Sequence, residues 1–303
     1  MIFEVKLGSS DKESRESAVW PPKWGQERRL EFIDFRLLWD GRLNRADLAN
    51  FFSISIPQAS IDLALYQERA PGNMIYDRQE KAYLASSTFA PFVTSPDAHS
   101  FLNQIRQVEG QMLPRESTFL GWYPPSGVVR HPTRRVDAGT LRMVLHAIRR
   151  KETVRITYQS MTHPDPTERE IGPHAIAFDG VRWHTRAFSF EHDAFRDFVF
   201  ARILSIARGR PMEIDAQKDT AWSNMLGIVV KANPELTLAQ RRAIELDYGM
   251  EQGSLRFEVR EALLFYLLQQ LCLLPSSPKD PHQQIVLANR EALEPYFMQL
   301  PSK

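Results

Sequence analysis

The chain of 303 residues holds a single cysteine, Cys272. One thiol cannot close an internal disulfide, and it excludes the multi-cysteine zinc sites. No run of about 18 apolar residues occurs, so no membrane association is expected. Met1–Ser10 carries Glu4 and Lys6 inside its only apolar run, which is not the pattern of a signal peptide. A cytoplasmic location is the expectation. Neither sign of charge dominates: 38 Lys and Arg face 37 Asp and Glu, for a net charge of +1. Nucleic-acid binding, where present, must therefore come from a local surface and not from bulk charge. Catalytic signatures are missing as well. There is no G-x-S-x-G, H-E-x-x-H, G-x-x-x-x-G-K-[ST] or G-x-G-x-x-G. His163, His174, His184 and His192 crowd one region, but their spacing matches no zinc signature. The chain is not expected to be an enzyme, and no cofactor or metal is expected.

What is present reads as a folded, multidomain α+β protein. Hydrophobic residues are 43% and charged residues 25%, the composition of a globular chain. The length suits two or three domains. Residues 1–23 are polar, with Pro21-Pro22 just before the first strongly periodic segment. From Trp24 to Leu38 the apolar residues Leu30, Ile33, Phe35, Leu37 and Leu38 fit one broad helical face. Asn44 can cap a short second helix to about Phe51, with Asp47 as its acidic partner. A third helix starts near Ser55 or Ile56, tolerates Pro57 in its first turn and runs to about Arg69. Met74–Tyr76 and Lys81–Ala85 then read as two strands around a turn. Residues 1–88 are accordingly read as one domain and 89–135 as a linker with a helix from Pro96 to about Met112.

Asp137 caps a further helix to about Lys151. Between Thr153 and Ala207, alternating residues such as Val154, Ile156 and Tyr158, and the Asp179-Gly180 hairpin signal, give several short strands. That density of strands reads as a small barrel over 136–209. Residues 210–303 read as a small α+β domain, with helices at Thr237–Leu246 and Arg260–Leu274 and a strand at Leu255–Val259. Cys272 and Trp183 are expected in the core.

Three helices and a hairpin within about 70 residues make a winged helix-turn-helix, whose third helix enters the major groove. Here Gln58 can reach adenine edges. Ser55 and Ser60 suit phosphate or base contacts, and Tyr66 is placed to reach the DNA backbone. Arg78 and Lys81 of the hairpin suit neighbouring phosphates. Ile61 and Leu65 are assigned to the core. The same residue types also serve as plain capping and solvent-facing groups, and such a trihelical unit also docks proteins. Pattern alone leaves both open.

In the barrel region arginines and aromatics interleave. A cluster of Tyr158, Ser160, His174, His184, Arg186 and Arg196 suits an anionic ligand, because arginine forks onto phosphate or carboxylate and tyrosine or histidine stacks on a base. The alternative is that these arginines are solvent-exposed and paired with Glu168, Glu170, Asp193 or Asp197.

The segments Ala147–Arg150, Val154–Ser160, Arg169–His174, Gly180–Phe188, Phe195–Phe198 and Arg202-Ile203 resemble the bacterial WYL-domain transcriptional regulators with an N-terminal winged helix. The likeness is to the dimeric repressors of BREX and CBASS phage-defence operons in particular. Ile54–Leu63 resembles their recognition helix and Tyr76–Tyr83 their wing. The naming Trp-Tyr-Leu is Trp183-His184-Thr185 here, a departure typical of the defence-linked subgroup. The resemblance implies a winged helix-turn-helix, a helical linker, an Sm/SH3-like barrel and a C-terminal dimerisation domain. It further implies a homodimer that represses from an inverted-repeat, double-stranded DNA operator. An anionic nucleotide or oligonucleotide sensed by Tyr158, Ser160, His174, His184, Arg186 and Arg196 would release it. Two other functions fit the residues: an RNA or single-strand binder, and a docking subunit of a defence complex. Nothing in the residues separates repression from activation.

Overall fold

Leu30, Ile33 and Leu37 recur at the spacing of one helical face, and Phe32 and Phe35 widen it. In the computed structural model they lie on α1, Gly25–Trp39, and all five are buried. The structure describes residues 25–129, 132–277, 280 and 282–297. The readings made on Met1–Ser10, Pro21-Pro22 and Trp24 lie outside them. The chain divides into two compact units, Met1–His131 and Pro132–Lys303.

In the first unit β1, Arg42–Leu43, leads into α2, Arg45–Phe52. Asn44 and Asp47 form a reciprocal capping box there, which satisfies backbone donors that would otherwise face the helix end unpaired. α3, Ile56–Arg69, follows, and then β2, Met74–Asp77, and β3, Ala82–Ala85. The three strands pair in the order β1-β3-β2. α4, Ala98–Glu109, follows. The segment read as a linker contributes Ile105, Phe119 and Leu120 to the core of this unit. Phe32 is its aromatic centre, with Phe51 at 4.8 Å and Phe119 at 5.3 Å between ring centroids. A fully buried ring such as Phe32 is worth roughly 1.5–3 kcal/mol of burial.

The second unit opens with α5, Ala138–Arg150, capped by Asp137. Five strands follow: β4, Glu152–Tyr158; β5, Thr167–Phe178; β6, Trp183–Ser189; β7, Ala194–Val199; and β8, Ile203–Pro211. They form one antiparallel sheet in the order β7-β6-β5-β4-β8. The expected barrel is therefore wrong. Closure needs the outer strands to pair, and β7 and β8 remain the two edges of an open sheet. Strand number alone does not curl a sheet when its faces are covered otherwise. On one face Val144 and Ala147 of α5 pack with Val154, Ile156 and Ile171. On the other, side chains of the C-terminal block meet β5 and β6.

That block comprises α6, Thr220–Ser223; β9, Met225–Ala232; α7, Leu238–Asp247; β10, Leu255–Arg260; α8, Leu264–Gln270; β11, Ile285–Leu287; and α9, Arg290–Phe297. β9 is the central strand between β10 and β11. Its Ile228 and Val230 pack on Leu264, Leu268 and Ile285. The long apolar helix expected at Arg260–Leu274 is shorter, because Arg260 still belongs to β10. Cys272 is exposed at a left-handed φ of 55°, not buried. Trp183 is 46% exposed beside Phe178, also against expectation. Among the described residues no helix is long and apolar enough to cross a membrane.

Candidate nucleic-acid interface and sensing face

α3 is fastened from its inner side. Asp62 is fully buried and accepts Arg29 Nε at 2.6 Å and Nη2 at 3.2 Å. Asp34, also fully buried, accepts the hydroxyl of Tyr66. It also takes the backbone N–H groups of Phe92, Val93 and Thr94 at 2.9, 2.8 and 2.7 Å. A buried carboxylate is tolerable when its lone pairs are filled in this way. Burial, and then the Asp34 hydrogen bond, push the Tyr66 hydroxyl's ionisation well above its ordinary value. Tyr66 is wholly enclosed, so it braces the helix and does not reach a DNA backbone as the sequence reading had it.

Among the described residues nothing fastens the outer side to another element. Ser55 caps α3, its Oγ accepting from Gln58 N at 3.3 Å. Gln58 Nε2 donates to Asp62 Oδ1 at 3.3 Å, and Ser60 Oγ donates to Ile56 O at 3.0 Å. Ile61, assigned to the core from sequence, is 58% exposed. In the hairpin, Asp77 Oδ1 accepts from Gln79 N and Glu80 N at 2.7 and 2.9 Å, shaping the turn. Arg78 and Lys81 stand exposed on it. Two aspartates thus hold one helix rigidly against α1 while its N-terminal turn stays open.

In the second unit, strand alternation sends His184 and Arg186 to the face of β6 opposite the α5 core. His174 of β5 joins them through a shared carboxylate. Asp219 Oδ2 meets His174 Nε2 at 2.9 Å and Arg186 Nε at 2.7 Å, while its Oδ1 takes Arg186 Nη2 at 3.0 Å. Asp197 Oδ1 faces Arg186 Nη1 at 3.3 Å, and its Oδ2 accepts the Tyr266 hydroxyl at 3.0 Å. Asp179 Oδ2 takes His184 Nε2 at 2.7 Å and Arg182 Nε at 2.9 Å. Side-chain exposure is 9% for Arg186, 6% for His174, 1% for His184 and 2% for Asp219.

Burial raises the Asp219 carboxyl, but the hydrogen bonds from His174 and Arg186 outweigh it and hold it at about 2. Asp179 is likewise raised by burial and brought down to about 2 by His184 and by the backbone N–H groups of Val181 and Arg182. Burial opposes the charge on Arg186, and Asp219 and Asp197 more than restore it, so its pKa lies above the ordinary value.

The six residues singled out for a ligand do not form one cluster. His174, His184 and Arg186 lie on this face. Tyr158 sits in the opposite core against Phe198, its hydroxyl accepting Val199 N at 3.2 Å. Arg196 pairs with Ala187 in register and is exposed. Ser160 shapes the loop after β4, accepting from Thr162 N and His163 N. Sequence reasoning missed Asp219 and Tyr266, which come from the C-terminal block. The only local sign of Asp219 is its place as the cap of α6.

A braced helix-turn-helix with a wing, a sensing sheet and a further α+β domain define the WYL-domain transcriptional regulators. Residues 25–107 match the BrxR transcriptional regulator winged helix-turn-helix domain, 139–208 the WYL domain, and 225–293 the BrxR transcriptional regulator C-terminal dimerization domain. The DNA-binding transcriptional repressor CapW of Escherichia coli strain KTE188 is 41% identical over 288 residues, 95% of this chain and 96% of CapW. CapW of Pseudomonas aeruginosa is 40% identical over 274 residues, covering 90% and 92%. CapW of Stenotrophomonas maltophilia is 39% identical over 280, covering 91% and 93%. The chain belongs to the BrxR/CapW family of WYL-domain transcriptional regulators.

Proposed function

We propose that this chain is a non-enzymatic, DNA-binding transcriptional repressor whose WYL domain senses a ligand. It acts as a homodimer on an inverted-repeat operator of a phage-defence operon. The observation that carries this reading is the open N-terminal turn of α3, held by buried Asp34 and Asp62, in a chain with relatives along 90% or more of its length that bear the name of DNA-binding repressors. Ser55, Gln58 and Ser60 face the duplex, and Arg78 and Lys81 take phosphates beside the wing.

Release follows from the lattice around Arg186. Asp219 occupies the arginine fork as an incoming phosphate or carboxylate would. A nucleotide or oligonucleotide that competes for Arg186 and His174 displaces the carboxylate and frees the segment that leads into β9. Because β9 is the central strand of the dimerisation domain, the ligand shifts the dimer, and operator affinity falls by linkage. Exposed Arg196 and half-buried Ser160 lie outside this face and serve as outer contacts for a longer oligonucleotide.

Gel-shift binding to the DNA immediately upstream of the chain's own gene tests the reading. It is run against a scrambled duplex and over a salt series, since affinity without salt is uninterpretable. A selective shift with dimer stoichiometry is expected. Equal retention of both duplexes, or preference for single strands, would remove the repressor reading.

A further inference from the structure

The outward stripe of α3 is apolar. Ile61 is 58% exposed, and Pro57 and Ala64, four residues before and three after it, are exposed on the same face. An isoleucine in this position loses free energy to water unless something covers it. Its neighbour one turn back says what does. Gln58 gives one amide hydrogen to Asp62, which Arg29 fixes in turn. The other amide hydrogen and Oε1 have no partner among the described residues. Together they are the donor and acceptor that match N7 and N6–H of adenine. Adenine's partner, thymine, carries a 5-methyl group, an apolar feature of the major-groove floor.

We propose that Ile61 is a specificity-determining residue that packs on thymine methyl groups, so each half-site carries A·T pairs beneath the first two turns of α3. The assignment rests on the reading of α3 as a recognition helix. A protein partner on the same stripe would be indifferent to methyl groups on DNA. Covering one methyl group is worth about fourfold in affinity, and two half-sites of a dimer on the order of tenfold.

The test uses the purified full chain and the duplex from immediately upstream of its gene. The duplex is made once with thymine and once with deoxyuridine, which removes only the methyl group. The wild-type chain loses roughly tenfold on the deoxyuridine duplex. Ile61→Ala binds the thymine duplex about as weakly as that and loses nothing further on deoxyuridine. Its melting temperature stays at the wild-type value, because the side chain is exposed. Selective wild-type binding that ignores the methyl groups overturns the role of Ile61 and leaves the repressor reading standing. So does an Ile61→Ala variant that keeps the full thymine preference. No selective binding of either duplex overturns both.

Discussion

Asp219→Asn removes a charge from the sensing face and almost no volume. The native carboxylate binds Arg186 twice, at 2.7 and 3.0 Å, and His174 at 2.9 Å, with 2% of its side chain exposed. Its cost can be worked in two ways. The carboxyl sits at about 2 against an ordinary 3.8, and about 1.4 kcal/mol per pKa unit gives roughly 2.5 kcal/mol. Breaking a buried ion pair from one side costs about 3–5 kcal/mol. The amide oxygen retains one hydrogen bond, and Asp197 still faces Arg186 at 3.3 Å, which lowers that figure. Both estimates meet near 2–3 kcal/mol, or roughly 5–10 °C in the melting temperature of a unit this size. The pH dependence has a definite sign. The folded value lies below the unfolded one, so the contribution is complete above about pH 4 and is lost as pH falls towards 2. Near-UV circular dichroism of the full chain, following the Pro132–Lys303 transition, should show the widest gap between wild type and variant near neutrality. The gap should close between about pH 4 and 2. Equal stability at pH 7, or an undiminished gap at pH 2, refutes the reasoning.

Three further outcomes are expected. Tyr66→Phe strips one hydrogen bond from buried Asp34, costs about 1–2 kcal/mol in urea unfolding, and leaves the operator footprint unchanged; a lost footprint in the folded variant would put the tyrosine on DNA after all. Gln58→Ala combined with Ser60→Ala leaves the fold intact and relaxes operator choice; a wild-type footprint would displace the recognition surface from α3. Arg186→Ala retains basal operator binding but is not released by nucleotides or short oligonucleotides that release the wild type. It also lowers stability by about 3 kcal/mol or more, since Asp219 and Asp197 lose their cation together. Normal release would move the sensing site elsewhere.

Local signals carried most of the elements. Asn44 with Asp47, Ser55 and Asp137 each cap the helix that their position announces. The Asp179-Gly180 hairpin forms with Gly180 at φ +88°. These features depend on residues within one turn of each other, so sequence displays them directly. β9 was missed although Leu226, Ile228, Val230 and Ala232 alternate as buried residues and Asn233-Pro234 marks its end. Closure of the middle sheet was misjudged too. Whether β7 meets β8 is decided by what covers the faces of the sheet, and that cover includes residues far along the chain.

The same distance rule separates the two candidate sites. The outer turn of α3 spans a few consecutive residues, so the polar members Ser55, Gln58 and Ser60 could be picked from pattern. Ile61 could not, because its exposure depends on the angle at which Asp62 and Tyr66 rotate the helix onto α1. Those fastenings join residues 32 and 33 positions apart. On the sensing face, strand parity brought His184 and Arg186 together correctly. It could not supply Asp219, 33 residues from Arg186, or Tyr266, 69 residues from Asp197. Without them the face reads as an open cationic cluster ready for a ligand. With them it is an arginine already holding a carboxylate. On the proposed reading, a ligand there would have to outcompete an internal anion held at enforced proximity, and the energy of that exchange would couple binding to the C-terminal domain.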